Sequence, residues 1–218
     1  CNLACTCCQN STIAKEFSRD KIGTPNVSRE RVIEMLDDCG KNHSLHEFSG
    51  VAYTYTEPSV WIETVLDLAP AVHTKGVKNV LVTNGFICQK PLDDLLEHTD
   101  ALNIDLKAFD DGFYRKQCGG RLAPVLAAVK AAVRRAHVEL TTLVIPTLND
   151  SDAHAIALRD WIAGETGRGT PVHLSRYFPM YKQTIPPTTE DTLRRIHAVL
   201  SEKLDYVYIG NVGASQDT

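Results

Sequence analysis

The apolar positions of this chain change period several times. Between Ser28 and Gly40, Val32, Ile33, Met35 and Leu36 recur at helical intervals, which predicts an amphipathic helix with Ser28 as its N-cap. Arg31 stands where a capping box would carry an acid, so that box is incomplete. Phe48 to Tyr55 reads as a strand. Ser59 to Lys75 follows as a helix with Val60, Trp61, Val65, Leu66 and Leu68 inward, Pro70 as a kink point and Gly76 as its left-handed C-cap. Lys78 to Gly85 is short, β-branched and closed by a glycine turn, the form of a strand buried in a parallel sheet.

The same alternation continues to the end. It predicts helices at Pro91 to His98, Leu122 to Ala136, Asp152 to Gly164 and Thr189 to Lys203, with strands at Ala101 to Leu106, Val138 to Ile145, Pro171 to Arg176 and Tyr206 to Ile209. Ser11 to Val27, polar and carrying Gly23, Pro25 and Asn26, reads as a loop with one helical turn. Strand-then-helix repetition points to an α/β fold with a parallel sheet joined by right-handed crossovers. Six strands suit an open, partial β/α barrel better than a closed eightfold one, with a first strand expected upstream of residue 1. In such folds polar residues at the carboxyl ends of the strands converge on the site.

Composition narrows the class. A chain of 218 residues, 43% hydrophobic, can bury one core, since single α/β barrels run to about 200–250 residues. We therefore read residues 1–212 as one core domain and 213–218 as a flexible tail. A net charge of −4 offers no basic field for nucleic acid. No stretch approaches the roughly 18 apolar residues of a membrane span, and none reads as a signal peptide. Cys39, Cys88 and Cys118 are scattered singly, as reduced thiols in a cytoplasmic protein would be.

Four of the seven cysteines fall within the first eight positions, Cys1, Cys5, Cys7 and Cys8. Disulfides between such close neighbours would be strained, so a metal site is the better reading. Cys1, Cys5 and Cys8 give the spacing C-x3-C-x2-C, a loop able to present three thiolates to an iron–sulfur cluster and leave one iron open. Two alternatives stay open on the residues alone: Cys7 in place of Cys8, and a closed zinc site on Cys1, Cys5, Cys7 and Cys8.

This cysteine spacing, followed by Gln9-Asn10, resembles the signature of the radical SAM superfamily, in the branch that contains glycyl-radical-enzyme activases and the AmmeMemoRadiSam enzymes. Further motifs carry the resemblance to about Val212. Tyr55-Thr56-Glu57-Pro58 is similar to the Gly-Gly-Glu-Pro motif that holds the methionine amino group of S-adenosylmethionine, with Tyr55 and Thr56 replacing both glycines. Thr83-Asn84-Gly85 resembles the ribose-side Thr-Asn-Gly, and Asp105-Leu106-Lys107 the Asp-x-Lys of the same branch. Ile145-Pro146-Thr147-Leu148-Asn149-Asp150 is similar to the segment that flanks the adenine, and its Asn149 or Asp150 serves equally as a helix cap. His173, Ser175-Arg176 and Phe178 to Lys182 resemble a segment where substrate contacts are expected, and Tyr208 to Val212 resembles the closing Tyr-x-Gly-Asn-Val.

The resemblance implies a 4Fe-4S cluster on Cys1, Cys5 and Cys8, with S-adenosylmethionine chelated to the fourth iron. Tyr55, Thr56, Glu57, Asn84, Asp105, Lys107 and Ile145 are then cofactor-binding residues. An electron from flavodoxin or ferredoxin would cleave S-adenosylmethionine to a 5′-deoxyadenosyl radical, which takes hydrogen from a small molecule or a protein substrate. An activase that installs a glycyl radical on a partner enzyme is the second implication.

Overall fold

The computed structural model describes residues 1–15, 27–42 and 50–212. Within them, six strands form one sheet: β1 (Gly50–Tyr53), β2 (Lys78–Thr83), β3 (Ala101–Asp105), β4 (His137–Val144), β5 (Val172–Arg176) and β6 (Val207–Gly210). They lie in sequence order and every neighbouring pair is parallel. The helices are α1 (Ser11–Ala14), α2 (Arg29–Asn42), α3 (Ile62–Thr74), α4 (Gln89–Leu96), α5 (Asp111–Phe113), α6 (Leu122–Ala132), α7 (Asp152–Glu165) and α8 (Glu190–Ser201). This is the expected open α/β sheet. The expected tail at 213–218 and most of the loop after Ser11 lie outside the described residues, as do the first two positions of the Phe48 to Tyr55 strand.

Alternation along β4 shows how the sheet is layered. Val138, Leu140, Thr142 and Val144 are buried, whereas His137, Glu139, Thr141 and Leu143 are only partly covered or exposed. The first set packs in the core with helix residues such as Val125, Val129, Leu158 and Ile162. Each fully buried aliphatic side chain of this layer contributes roughly 1.5–3 kcal/mol. The second set faces the open side of the sheet, which is therefore free to take a ligand.

Several helix boundaries differ from expectation for local reasons. The helix expected from Ser59 opens as a 3-10 turn, Pro58–Trp61, because Pro58 has no N–H and the Glu57 carboxylate takes the N–H of Ser59. Val60 consequently faces solvent, as does Met35 on α2, both against the predicted inward faces. Helix α4 starts at Gln89, ahead of Pro91. Proline is tolerated there because first-turn N–H groups have no intrahelical partner. Ser28 does accept the Arg31 N–H at 3.3 Å, and Gly76 does adopt the left-handed conformation, φ +72°. Ser151, rather than Asn149 or Asp150, caps α7 by accepting from His154 N–H at 3.3 Å. The segment Asp111 to Cys118, between the third strand and the Leu122 helix, has no apolar periodicity. It forms α5 and then a wide π turn, Tyr114–Cys118, ending at left-handed Gly119.

Candidate active site

The cysteine loop is fixed at the carboxyl end of the sheet like a short extra strand. Ala4 N–H donates to the Cys118 carbonyl at 2.7 Å, and Thr6 N–H to that of Gln117 at 2.8 Å. On the other side Lys182 N–H donates to the Thr6 carbonyl at 3.1 Å. Gln183 Nε2 bridges Thr6 Oγ1 at 3.1 Å and Gln117 Oε1 at 2.8 Å. The approach to the π turn is close: a Cβ on Gly120 would lie 2.6 Å from Leu3 Cδ2, so a larger residue there would displace the buried Leu3 side chain.

Within this loop the four thiols differ. Cys5 is buried and drawn down to about 6, chiefly by a hydrogen bond from the Cys118 thiol, with burial opposing and Lys107 and Lys15 assisting. That direction favours the thiolate, the form that ligates metal. Burial first, and the nearby Cys5 sulfur second, push the Cys7 thiol up to about 11, which disfavours its thiolate. Cys8 is half-buried and Cys1 exposed.

The strand ends supply the other wall. Glu57 is buried after β1, and Oε1 accepts from Ser59 N–H at 3.2 Å and Thr83 Oγ1 at 2.7 Å, while Oε2 accepts from Asn84 N–H at 2.8 Å. The Asn84 side-chain amide in turn reaches Asn2 Oδ1 at 2.8 Å and the Cys1 sulfur at 3.7 Å. Asp105 and Lys107 form an ion pair of 2.9 Å. Burial alone would lower the Lys107 pKa, but Asp105 and Cys5 hold the ammonium charged. Asn149 ties the ends of β3 and β4 together: Nδ2 donates to the carbonyls of Lys107 at 2.8 Å and Leu143 at 2.9 Å, and Oδ1 accepts from Ile145 N–H at 2.7 Å.

All ten residues singled out by sequence, Cys1, Cys5, Cys8, Tyr55, Thr56, Glu57, Asn84, Asp105, Lys107 and Ile145, line one cavity of about 250 Å³. It is completed by Cys7, Gln9, Phe113, Thr141, Leu143 and Ser175 among others. Glu57 lines the cavity, and three protein donors engage its carboxylate, two of them, Thr83 and Asn84, tying it to the turn after β2. Below the cavity, two residues down β4 and β5, His173 Nε2 meets Glu139 Oε2 at 2.7 Å and stacks on Tyr208, while His137 Nε2 meets Glu139 Oε1 at 3.1 Å. Burial opposes ionisation of Glu139, but both histidines hold its carboxyl below the usual range. Glu139 was not picked out in the sequence because its nearness to His173 depends on sheet register.

Residues 1–159 match the model of the radical SAM superfamily. The chain belongs to that superfamily. This radical SAM chain is 39% identical over 215 residues to an uncharacterised protein of Methanocaldococcus jannaschii, covering 97% of the chain and 61% of that protein. It thus spans about three fifths of that relative's length. It is 23% identical over 219 residues to the pyruvate formate-lyase 1-activating enzyme of Escherichia coli, covering 93% of the chain and 85% of that enzyme. Among solved structures, Streptococcus suis SuiB bound to S-adenosylmethionine superposes with a TM-score of 0.72 at 16% identity, over 98% of this chain and 48% of SuiB. That likeness shows the shared fold. Among the described residues no helix is long and apolar enough to cross a membrane.

Superfamily membership implies a 4Fe-4S cluster and S-adenosylmethionine. The donor set fits a cluster better than a single ion. Among the described residues no three His, Cys, Asp or Glu side chains are grouped as a site for one metal ion. A four-iron cluster takes each thiolate on a different iron and needs its sulfurs farther apart, around a common space. Cys1, Cys5 and Cys8 border such a space, and the surroundings of Cys5 favour its thiolate.

Proposed function

We propose that this chain is the core of a radical SAM enzyme in which Cys1, Cys5 and Cys8 hold the 4Fe-4S cluster and the strand ends hold S-adenosylmethionine. The observation that supports it is the convergence of the cysteine loop with the ends of five strands on one cavity. When bound, cluster and S-adenosylmethionine supply a 5′-deoxyadenosyl radical that takes a hydrogen atom from substrate. The chain's own residues bind and orient. Lys107, kept charged by Asp105, offers an ammonium to the methionine carboxylate, and Asn84, positioned by Glu57, offers its side chain to the ribose. Tyr55 and Thr56 present backbone to the amino group, and Ile145 packs on the adenine. Cys7, a buried thiol, fills the wall without ligating.

The substrate enters from the open side of the sheet, onto Thr141 and Ser175 and toward the polar pair Glu139 and His173. Flavodoxin or ferredoxin supplies the electron. Reduced, anaerobically reconstituted protein is expected to form 5′-deoxyadenosine from S-adenosylmethionine; a loaded, reducible cluster that forms none sinks the reading. Similarity to the Escherichia coli activating enzyme supports a second reading, an activase acting on a glycyl-radical enzyme. That reading requires a glycyl-radical electron paramagnetic resonance signal on the partner enzyme after incubation, whereas a small-molecule enzyme leaves no protein radical.

A further inference from the structure

Thr6, between Cys5 and Cys7, is held on both flanks. Its N–H donates to the Gln117 carbonyl at 2.8 Å, its carbonyl accepts from Lys182 N–H at 3.1 Å, and Gln183 Nε2 joins the flanks by donating to Gln117 Oε1 at 2.8 Å. Two lysines stand at these anchors, Lys182 itself and Lys116 next to Gln117, and both are exposed. Among the described residues neither ammonium is paired with a carboxylate, in a chain whose net charge is −4. The neighbouring Arg115, by contrast, is met by Asp111 at 2.6 Å. Two uncompensated positive charges therefore flank the one residue that separates Cys5 from Cys7.

The same surface is apolar in part. Phe178, Met180 and Tyr181 are each more than a third exposed, three large apolar side chains within four positions. Gln183 N–H closes this turn on the Met180 carbonyl at 3.2 Å, and Lys182 Nζ lies 5.2 Å from the centroid of the Tyr181 ring. Tyr181 holds a left-handed backbone, φ +58°, which glycine or asparagine would adopt at lower cost. A bulky ring kept there and left exposed adds little to the core, so its side chain serves the surface. Clustered exposed apolar groups with a charged rim mark an interaction site.

We propose that this surface, Met180 and Tyr181 flanked by Lys116 and Lys182, docks a reduced flavodoxin, a small acidic flavoprotein, over Thr6 for delivery of one electron to the cluster on Cys1, Cys5 and Cys8. This rests on the cluster assignment above. The unpaired lysines select an acidic partner and steer its approach. Met180 and Tyr181 suit the dimethylbenzene edge of a flavin, which has no hydrogen-bonding groups. Electron-transfer partners meet through interfaces below about 1,200 Å², so a few side chains suffice. In the step itself the anionic flavin hydroquinone becomes the neutral semiquinone and the cluster gains the electron, with no proton or atom transferred.

The test uses Lys116→Glu and Lys182→Glu, which leave the backbone bonds to Thr6 in place. Oxidised flavodoxin is titrated into the cluster-free proteins by calorimetry at low ionic strength. Each substitution is expected to weaken binding about tenfold, and the difference to shrink in high salt as the charges are screened. Unchanged binding, or a wild-type chain that does not bind flavodoxin, overturns the docking surface whatever the state of the cluster. Oxidised ferredoxin is titrated in parallel, and tighter binding that the same substitutions weaken would give the surface to another carrier and overturn the proposal. In the anaerobically reconstituted proteins, 5′-deoxyadenosine formation driven by subsaturating reduced flavodoxin is expected to fall about tenfold, while formation driven by dithionite holds. An equal fall with both reductants would mean that the lysines serve the cysteine loop, which also overturns it. A wild-type chain that loads no iron refutes the cluster assignment, and electron delivery with it, a failure distinct from lost or unaltered flavodoxin binding.

Discussion

Asn84 donates its backbone N–H to the Glu57 carboxylate at 2.8 Å, joining the turn after β2 to the one after β1 through a side chain that is 1% exposed. Two more donors, Ser59 N–H and Thr83 Oγ1, end on the same carboxylate. Glu57→Ala would strand all three, a loss of about 3 kcal/mol in unfolding free energy by denaturant titration. Because Thr83 and Asn84 would move, affinity for S-adenosylmethionine should fall at least about tenfold in equilibrium dialysis while iron content holds. Unchanged affinity would remove Glu57 from the site.

Cys5→Ala is expected to abolish iron uptake and 5′-deoxyadenosine formation, since it removes the thiolate prepared by Cys118 and the two lysines. Cys7→Ala should leave both largely intact, because burial disfavours the Cys7 thiolate that a ligand would need. Iron analysis and product chromatography on the two variants test the ligand register, and the opposite pattern would exchange their roles.

Lys107→Met should weaken S-adenosylmethionine binding by about tenfold to a hundredfold, the loss expected when a partly buried charged partner of a carboxylate is removed. It also leaves Asp105 uncompensated on the cavity wall. Titration of the loaded variant with S-adenosylmethionine measures this, and wild-type affinity would show that the ion pair serves only the fold.

Away from the site, Asp100 sits where the chain enters β3 and receives Lys78 Nζ at 2.8 Å, Asn79 N–H at 2.8 Å and His73 Nε2 at 2.7 Å. Burial would raise its pKa, but these donors outweigh burial and hold it at about 2. A depressed carboxyl stabilises the fold above its unfolded value near 4 and loses that contribution as pH falls through 2. The stability gap between wild type and Asp100→Asn is therefore expected to be roughly 2 kcal/mol at pH 6 and to close toward pH 2. A gap that is constant with pH would mean the carboxylate charge is not what matters.

Much of this architecture can be read from local patterns. Short runs such as Lys78 to Thr83 are legible because Val80, Leu81 and Val82 favour a strand and a glycine turn closes them, and the cysteine spacing is legible because ligand geometry constrains it. What escapes local reading depends on contacts between distant segments. Cys118 looks like an isolated thiol until the π turn brings it to Cys5, more than a hundred residues earlier. Glu139 and His173 become neighbours only through strand register: Thr141 pairs with His173, which leaves Glu139 diagonal to it. Glu57 is conspicuous in its motif, yet its engagement with Thr83 and Asn84 follows from sheet order.

The backbone bonds from Ala4 and Thr6 to the π turn, and from Lys182 to Thr6, make the path of the cysteine loop a long-range property of the chain. An insertion or deletion near either distant segment would displace the thiols together, although none of them lies in the altered stretch.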